Sequence, residues 1–134
     1  MIRRGLFTLA VLLIASSSYA TTAEEMLSRC RQIAQSPVRD QPIEIPQTTD
    51  AAMCWGAFVS LQEVVQWVDT VHSKTPLVPM LQACVPEGST RSQLIAIFVD
   101  YVERNPKYRS DAFAFVAVKA LRATFPCGKT APKK

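Results

Sequence analysis

Hydrophobic residues recur every three or four positions through the middle of the chain, from Asp50 to about Ser73. This spacing is typical of one face of an amphipathic α-helix, because side chains about 3.6 residues apart lie above one another. The pattern therefore predicts a long helix with Asp50 as its N-cap. Its expected inner face consists of Cys54, Ala57, Phe58, Leu61, Val64, Val65, Val68 and Val71.

Three further segments have the same helical spacing. They predict helices from Ala23 to about Gln35, from Arg91 to Arg104 and from about Ser110 to Thr124. The apolar arc of the Arg91–Arg104 segment is wide, which places this helix at the centre of the domain or at a dimer seam. The predicted fold class is all-α, a small four-helix domain. The expected inner face of the last helix consists of Phe113, Val116, Ala117, Ala120, Leu121 and Thr124.

Two capping boxes mark the starts of helices. Thr22 with Glu25 lies at the start of the first helix, and Thr90 with Gln93 lies at the start of the third. At this spacing each side chain can bond the other residue's free backbone N–H group, so both pairs predict a helix N-terminus.

Proline-containing segments separate the helices, because proline lacks a backbone donor and disfavours helix in the residue before it. Residues 36–50 contain three prolines and residues 73–79 contain two, while Asn105-Pro106 ends the third helix. Leu81 to Val85 is predicted to form one helical turn. A connection of about 14 residues is long for a compact domain, so the 36–50 loop is either a passive connector or an element that contacts a partner.

The first residues have the pattern of a signal peptide. Arg3 and Arg4 form a positive n-region, and Leu6 to Ala15 is a short apolar run. Ser18-Tyr19-Ala20 then has small residues at the positions that a cleavage site requires. A transmembrane anchor is the alternative, although the run is shorter than a membrane-spanning helix needs.

These features divide the chain into three parts. We expect a signal peptide over residues 1–20, a helical domain over 21–127 and a disordered basic tail over 128–134, with no membrane segment once the leader is cleaved. The formal net charge is +4, but two basic residues lie in the leader and three in the tail. The folded body is therefore near neutral or slightly acidic. Without a basic stripe and interleaved aromatic residues, a nucleic-acid partner is not expected.

All four cysteines, Cys30, Cys54, Cys84 and Cys127, follow the predicted leader. An even number in a small exported chain indicates disulfides. Zinc is the competing use, but no Cys-x-x-Cys pair is present. Antiparallel neighbouring helices would bring Cys30 to Cys54 and Cys84 to Cys127. We therefore predict two disulfide-stapled helical hairpins, each stabilised by roughly 3–4 kcal/mol in chain-entropy models.

The residues offer little for catalysis. His72 is the one histidine, and Asp69 lies three residues before it. The pair is either a weak acid–base pair or, as we prefer, a structural feature of a helix C-terminus. Oxidised cysteines cannot serve as thiolate nucleophiles. No phosphate-binding loop, cofactor motif or metal motif is present in the sequence, so we predict a binding protein and not an enzyme.

Six residues are candidates for partner contact, because aromatic and arginine side chains are enriched at binding hot spots. Two lie off the inner face of the long helix, one points away from the inner face of the last helix, and three lie in the loop after the third helix. The alternative is that they are ordinary packing and turn residues. The candidates are Trp55, Trp67, Lys107, Tyr108, Arg109 and Phe115.

The part of the chain from Cys54 to Cys127 also has a family pattern. From Cys84 it contains Cys-x-Pro-x-Gly-x-Thr-x-x-Gln-Leu, and it ends with Ala-Leu-x-x-x-Phe-Pro-Cys. The pattern resembles the Tai/Rap family of type VI secretion amidase immunity proteins. Cys54-Trp55-Gly56-Ala57 departs from the Cys-x-Gly-Tyr that is frequent in that family. The matching positions are Cys84, Pro86, Gly88, Thr90, Gln93, Leu94, Val99, Tyr101, Asn105, Pro106, Ala120, Leu121, Phe125, Pro126 and Cys127.

The resemblance implies an all-helical, often dimeric periplasmic protein. Such a protein would bind a secreted peptidoglycan amidase effector and block its active-site cleft, without a cofactor. Candidate loops for that contact are residues 36–50, 73–79 and 105–109. The alternative function is a periplasmic structural or stress-related helical binding module without a toxin partner.

Overall fold

The computed structural model describes residues 20–34, 47–72 and 81–127, and for residues 67–72 it describes the helix but not the side chains. These residues form four α-helices and no strand, which confirms the predicted all-α fold. A short 3-10 helix, Pro106–Tyr108, lies between the last two. The α-helices are α1 (Ala23–Ala34), α2 (Thr49–His72), α3 (Arg91–Arg104) and α4 (Phe113–Thr124).

Several predictions from the sequence lie outside the described residues. They are the leader, most of the 36–50 loop, the 73–79 turn, the tail of residues 128–134, and the side chains of Trp67, Val68, Asp69, Val71 and His72.

Both predicted capping boxes are present. The backbone N–H of Thr22 donates to Glu25 Oε2 at 3.0 Å, and that of Glu25 donates to Thr22 Oγ1 at 3.2 Å. Thr90 and Gln93 exchange the same two bonds, at 2.9 and 3.3 Å. Because each box satisfies two backbone donors that have no partner within the helix, it stabilises the first turn.

The predicted N-cap of α2 is wrong. Thr48 Oγ1 accepts a hydrogen bond from the backbone N–H of Ala51 at 3.2 Å, so Thr48 caps the helix. Asp50 lies inside the first turn, where its carboxylate is 3.7 Å from Arg29 Nε of α1. Both residues are of types that cap helices, and Asp50 lies two positions after the cap. Thr48 also contacts α1, because its hydroxyl donates to Gln32 Oε1 at 3.2 Å.

The predicted start of α4 at Ser110 is also wrong, since the helix begins at Phe113. The residues before it bond to the N-terminal segment instead. The backbone N–H of Ala23 donates to Asp111 O at 2.8 Å, and that of Phe113 donates to Thr21 O at 2.8 Å. Because these backbone groups pair with a remote segment, they cannot also form a helical turn.

The predicted helical turn at Leu81 to Val85 is wrong for the same reason. Ala83 forms an isolated antiparallel bridge with Pro126. The backbone N–H of Cys84 donates to Phe125 O at 2.8 Å. The side chain of Arg122 in α4 donates to Leu81 O. Residues 83–85 thus run along the end of α4, whereas Gln82 before them has a φ of +50°.

The core lies around α3, which contacts each of the other three α-helices, most extensively α1. Phe58 of α2, Phe98 of α3 and Phe113 of α4 meet edge to face there, with ring centroids 5.2 to 5.7 Å apart. Of the two positions predicted for α3, the centre of the domain or a dimer seam, the structure shows the central one, which α1 shares because it also contacts the other three α-helices. The largest fully buried side chains are Phe58, Phe98, Leu27, Leu94, Ile95, Leu121, Val102, Val116, Cys30 and Cys54.

Two expected inner-face residues are exposed. Val64 is 51% exposed, whereas its neighbour Val65 is buried. The two side chains are about 100° apart around α2, and the core covers only the side with Val65. Thr124 is exposed in the last turn of α4, where its hydroxyl donates to Ala120 O at 3.0 Å.

The structure contains two disulfides in different environments. Cys30–Cys54 joins α1 to α2 with a Cα–Cα distance of 5.3 Å, and both residues are fully buried. Cys84–Cys127 joins the segment before α3 to the end of α4 with a Cα–Cα distance of 5.0 Å. It lies at the surface, because Cys84 is exposed and Cys127 only partly buried.

Two glycines should respond in opposite ways to alanine. Gly88 has a φ of +83°, and Gly56 lies within helix α2. An added Cβ meets no heavy atom within 4 Å at either site, so backbone conformation decides the outcome. Gly56→Ala should raise the free energy of unfolding by about 1 kcal/mol, and Gly88→Ala should lower it by about 1 kcal/mol. Urea unfolding of both variants tests this, and a shift of the same sign in both would contradict it.

Candidate partner-binding surface

The segment between α3 and α4 is held at both ends by backbone hydrogen bonds. The N–H of Asn105 donates to Tyr101 O at 3.0 Å, which ends α3 where Asn105-Pro106 predicted. Tyr108 N–H donates to Asn105 O at 3.0 Å, and Asp111 N–H donates to Tyr108 O at 3.1 Å. With residues 21–24 bonded to its far end, this segment presents its side chains in fixed positions.

Tyr108 is the centre of a cluster of rings and ammonium groups. Its ring lies parallel to that of Tyr101, with centroids 6.1 Å apart and an interplanar angle of 8°. Lys119 Nζ is 4.0 Å from the Tyr108 centroid, and Lys107 Nζ is 5.0 Å from it. Both distances are within the range of cation–π attraction.

Phe115 extends this cluster along α4. It is one of the three most exposed large hydrophobic side chains among the described residues, at 53%. Lys119 Nζ lies 4.9 Å from its ring centroid, so one ammonium group contacts both rings. Lys107, Tyr108, Phe115 and Lys119 therefore form one continuous surface, which we call the Tyr108 patch.

Lys119 was not among the sequence candidates, although a signal for it was present. Phe115 and Lys119 are four residues apart on α4, a spacing at which helical side chains are neighbours. The contact of Lys119 with Tyr108 has no such local signal, because it depends on how the 3-10 helix packs against α4.

Arg109 is directed to α1. Its Nε lies 3.2 Å from Glu24 Oε2, and its carbonyl oxygen accepts from the Glu24 N–H at 2.9 Å. The side chains are 39% and 49% exposed, so the ion pair itself is weak. The structure thus gives Arg109 a partner within the fold.

Trp55 lies near the other end of α3 and packs against the core. The guanidinium carbon of Arg91 is 4.7 Å from the centroid of its ring. Arg91 and Tyr101 are ten residues apart on α3, which is about 15 Å along a helix. Trp55 is therefore separate from the Tyr108 patch, and the side chain of Trp67 lies outside the described residues.

A groove lies between α2 and the loop of residues 85–89, with a volume of about 350 Å³. Gln62 Nε2 spans it and donates to Ser89 O at 3.4 Å. Glu87 is the one ionisable residue among those that line the groove, so the lining residues do not include both an acid and a base. The lining residues are Gln62, Val65, Gln66, Val85, Pro86, Glu87, Gly88, Ser89 and Leu94.

Within the described ranges, no group of three or more His, Cys, Asp and Glu residues lies close enough to hold a metal ion. No α-helix in those ranges combines the length and the apolar character that crossing a bilayer requires.

The Lys119 ammonium, as a hydrogen-bond donor to the phenolate, lowers the pKa of Tyr108 below its ordinary value of 10.0. Burial opposes this shift, and the charge of Lys107 adds to it. The phenolate form is thus favoured in the folded state. Any contribution of this ionisation to the free energy of unfolding is present above the pKa that Tyr108 has in the unfolded chain. It is lost as the pH falls through the pKa that Tyr108 has in the folded protein, so it is limited to alkaline conditions.

Ultraviolet titration of tyrosinate should detect this shift. In a Tyr101→Phe background Tyr108 is the one tyrosine after residue 20, and it should ionise below pH 10.0. Adding Lys119→Met should move its pKa upwards, because the principal donor to the phenolate is removed. Adding Arg29→Met, which removes a charge on α1, should leave it unchanged. If Lys119→Met also left it unchanged, Lys119 would not be in contact with Tyr108.

A comparison with known protein families agrees with the family resemblance of the segment from Cys54 to Cys127. The model of the family described as Rap1a immunity proteins matches residues 22–127, which include all four α-helices. No curated protein and no solved structure gives a significant match. Because the match covers most of the 134 residues, the chain belongs to the Rap1a immunity protein family.

Proposed function

We propose that this protein is a periplasmic immunity protein that binds and blocks a peptidoglycan-cleaving amidase effector of a type VI secretion system. The observation that carries the proposal is the family match over residues 22–127, which indicates immunity against a secreted effector. The amidase target and the secretion system are proposed from the resemblance of the segment that begins at Cys84 to the Tai/Rap family.

The periplasm is supported by the cysteines and the leader. Both disulfides of the structure would persist in an oxidising compartment and would be reduced in the cytosol. We propose that residues 1–20 direct export and are removed, which leaves a folded domain over residues 21–127 and a basic tail.

A rigid scaffold suits an inhibitor. One disulfide ties α1 to α2, and the other ties the end of α4 to the segment before α3. The loop between α3 and α4 is bonded to the N-terminal segment. Because little of this surface must be ordered on binding, more of the interaction energy is available for affinity. We propose that it acts by occupying the effector's cleft, without chemistry of its own.

We further propose a homodimer that forms through α2. Met53 is 49% and Val64 is 51% exposed, and they are eleven residues apart, about three helical turns, on one side of α2. Gly56 and Ser60 lie between them and are exposed, so a second helix could approach closely. The stabilisation expected for Gly56→Ala therefore applies to the monomeric protein, as in a Val64→Glu background. Sedimentation equilibrium should show a dimer that Val64→Glu converts to a monomer, and a dimer that persists in this variant would contradict the proposed face.

The test of the immunity function is inhibition of a purified effector. The mature protein should inhibit, at equimolar concentration, the peptidoglycan amidase activity of a small secreted hydrolase encoded beside it. A lysozyme, which cleaves the glycan strand, is the control and should be unaffected. If no neighbouring hydrolase exists and no amidase is inhibited, the alternative of a structural or envelope-stress module takes its place, and deletion should then cause sensitivity to envelope stress.

A further inference from the structure

We infer that the Tyr108 patch is a recognition site for an acidic segment of a protein partner, with carboxylates bound by Lys107 and Lys119 and an apolar side chain packed on Phe115. The inference deepens the proposed function, because it assigns a surface and a chemistry to effector binding. It also makes a prediction that does not require the effector.

Charge is distributed unevenly over the domain. Residues 104–127 carry five basic side chains and one acidic one, whereas residues 21–103 carry five basic and ten acidic ones. The Tyr108 patch lies within the basic part. A partner with a negative surface would be attracted to the basic side chains of the patch, which favours docking there.

The two lysines of the patch also differ from four of the six arginines among the described residues; Arg91 and Arg122 contact the Trp55 ring and Leu81 O instead of a carboxylate. Arg29, Arg31, Arg104 and Arg109 each have a carboxylate within 4.0 Å. Within the described residues, no carboxylate lies that close to the ammonium group of Lys107 or Lys119. Two cations thus lie about one tyrosine ring without an anion to balance them, which is the arrangement that a carboxylate would complete.

The rings keep these cations in place before a partner arrives. Tyr108 is fixed by its parallel contact with Tyr101 and by its backbone bonds to Asn105 and Asp111. Lys119 lies over both Tyr108 and Phe115. A free lysine side chain loses considerable rotamer entropy when it is immobilised, and here part of that loss has already occurred.

The same surface is poorly suited to a nucleic acid or a membrane. Two ammonium groups are few for tracking a phosphate backbone, which requires a groove or stripe of basic residues. The apolar area is one phenylalanine on a short helix, not an extended amphipathic face. An aromatic residue flanked by cations is instead the composition of a protein-interface hot spot.

The first test titrates the mature protein with a hexaglutamate peptide and follows backbone amide signals by NMR. Shifts should be concentrated at Lys107, Tyr108, Phe115 and Lys119 and should diminish as salt is raised, since exposed charges are screened. Hexaglutamine should cause none. Shifts that are absent, or that are spread evenly over all basic residues, would overturn the inference, as would preferential binding of the patch to anionic lipid vesicles.

The second test measures affinity for the effector that the inhibition assay identifies. Lys119→Met should weaken binding at least tenfold and the Lys107→Met/Lys119→Met pair further, because charged contacts at an interface contribute to both rate and affinity. Arg29→Met removes the same charge on α1 and should have little effect. Circular dichroism should show that all variants are folded, since the substituted lysines are partly or fully exposed.

The outcomes separate this inference from the proposed function. If the wild type binds the effector and the Lys119→Met protein binds equally well, the patch is not the contact surface although the immunity function stands. If the wild type binds no effector, the proposed function fails, and the hexaglutamate titration alone decides whether the patch recognises acidic segments.

Discussion

Replacing Cys30 and Cys54 together by alanine should lower the free energy of unfolding by about 5 kcal/mol, at the upper end of the usual range for a native disulfide. Part of the loss is the freedom that the unfolded chain regains when a closure across 24 positions is removed. The rest is packing, because both cysteines are fully buried between α1 and α2. Since a domain of this size is usually stable by about 5–15 kcal/mol, this loss is between about a third and all of the free energy of unfolding, and the unfolding midpoint should fall sharply.

The Cys84–Cys127 disulfide is the matched comparison. It closes 43 positions, so loop entropy alone would make it the more stabilising of the two by about 0.5 kcal/mol. Because Cys84 is exposed, its replacement leaves no comparable cavity, and we expect a loss of about 4 kcal/mol for the Cys84→Ala/Cys127→Ala protein. Guanidinium unfolding of the two double variants measures the order. A larger loss for the surface disulfide would show that chain entropy outweighs burial here.

Phe98→Ala should lower the free energy of unfolding by about 4 kcal/mol, the usual loss when a buried aromatic side chain is truncated. Phe98 is the residue of central helix α3 that contacts both Phe58 and Phe113, at 5.7 and 5.2 Å between centroids. Its removal would therefore leave a cavity that borders α2 and α4 and would break two edge-to-face contacts, each of which contributes about 1 kcal/mol beyond burial.

Phe115→Ala is the control for that substitution. It deletes the same atoms from a side chain that is 53% exposed, so the free energy of unfolding should change by no more than about 0.5 kcal/mol. Thermal and denaturant unfolding of both variants, with the disulfides intact, would test the contrast. Equal losses would mean that Phe98 is not in the core that the structure describes.

The sequence predicted some helix ends correctly and others wrongly. Both ends of α3 were correct, because Thr90 with Gln93 starts it and Asn105-Pro106 ends it through interactions within a few residues. The starts of α2 and α4 were wrong. At α2, Thr48 and Asp50 are both suitable caps, and their contacts with α1 distinguish them, since Thr48 bonds to Gln32 and Asp50 lies near Arg29.

At α4, the segment from Arg109 to Phe113 has no local feature that prevents helix. Its backbone groups bond instead to residues 21–24, which are nearly ninety positions away in the sequence. The same explanation holds for residues 83–85, whose backbone pairs with that of Phe125 and Pro126. Hydrogen bonds between backbone segments that are remote in the sequence cannot be predicted from the residues of either segment alone.

For the candidate surface too, the sequence predicted some features and the tertiary structure decided the others. The types of Lys107, Tyr108 and Phe115 were sufficient to select them from the sequence, but not to place them together. Lys119, which joins Tyr108 to Phe115, was missed because one of its two contacts crosses from α4 to the 3-10 helix. Arg109, although selected, proved to be paired with Glu24 of α1.

The sequence by itself determined that this protein is helical, where its capping boxes lie and which family it belongs to, because these depend on hydrophobic period, capping groups and motif spacing within short stretches of chain. Tertiary structure alone decided which backbone groups form hydrogen bonds outside the helices, which hydrophobic side chains are exposed to solvent and which lysine side chains contact the same aromatic ring. Those outcomes depend on how rigid helices pack against one another, and packing brings together groups whose separation along the chain carries no information about their distance.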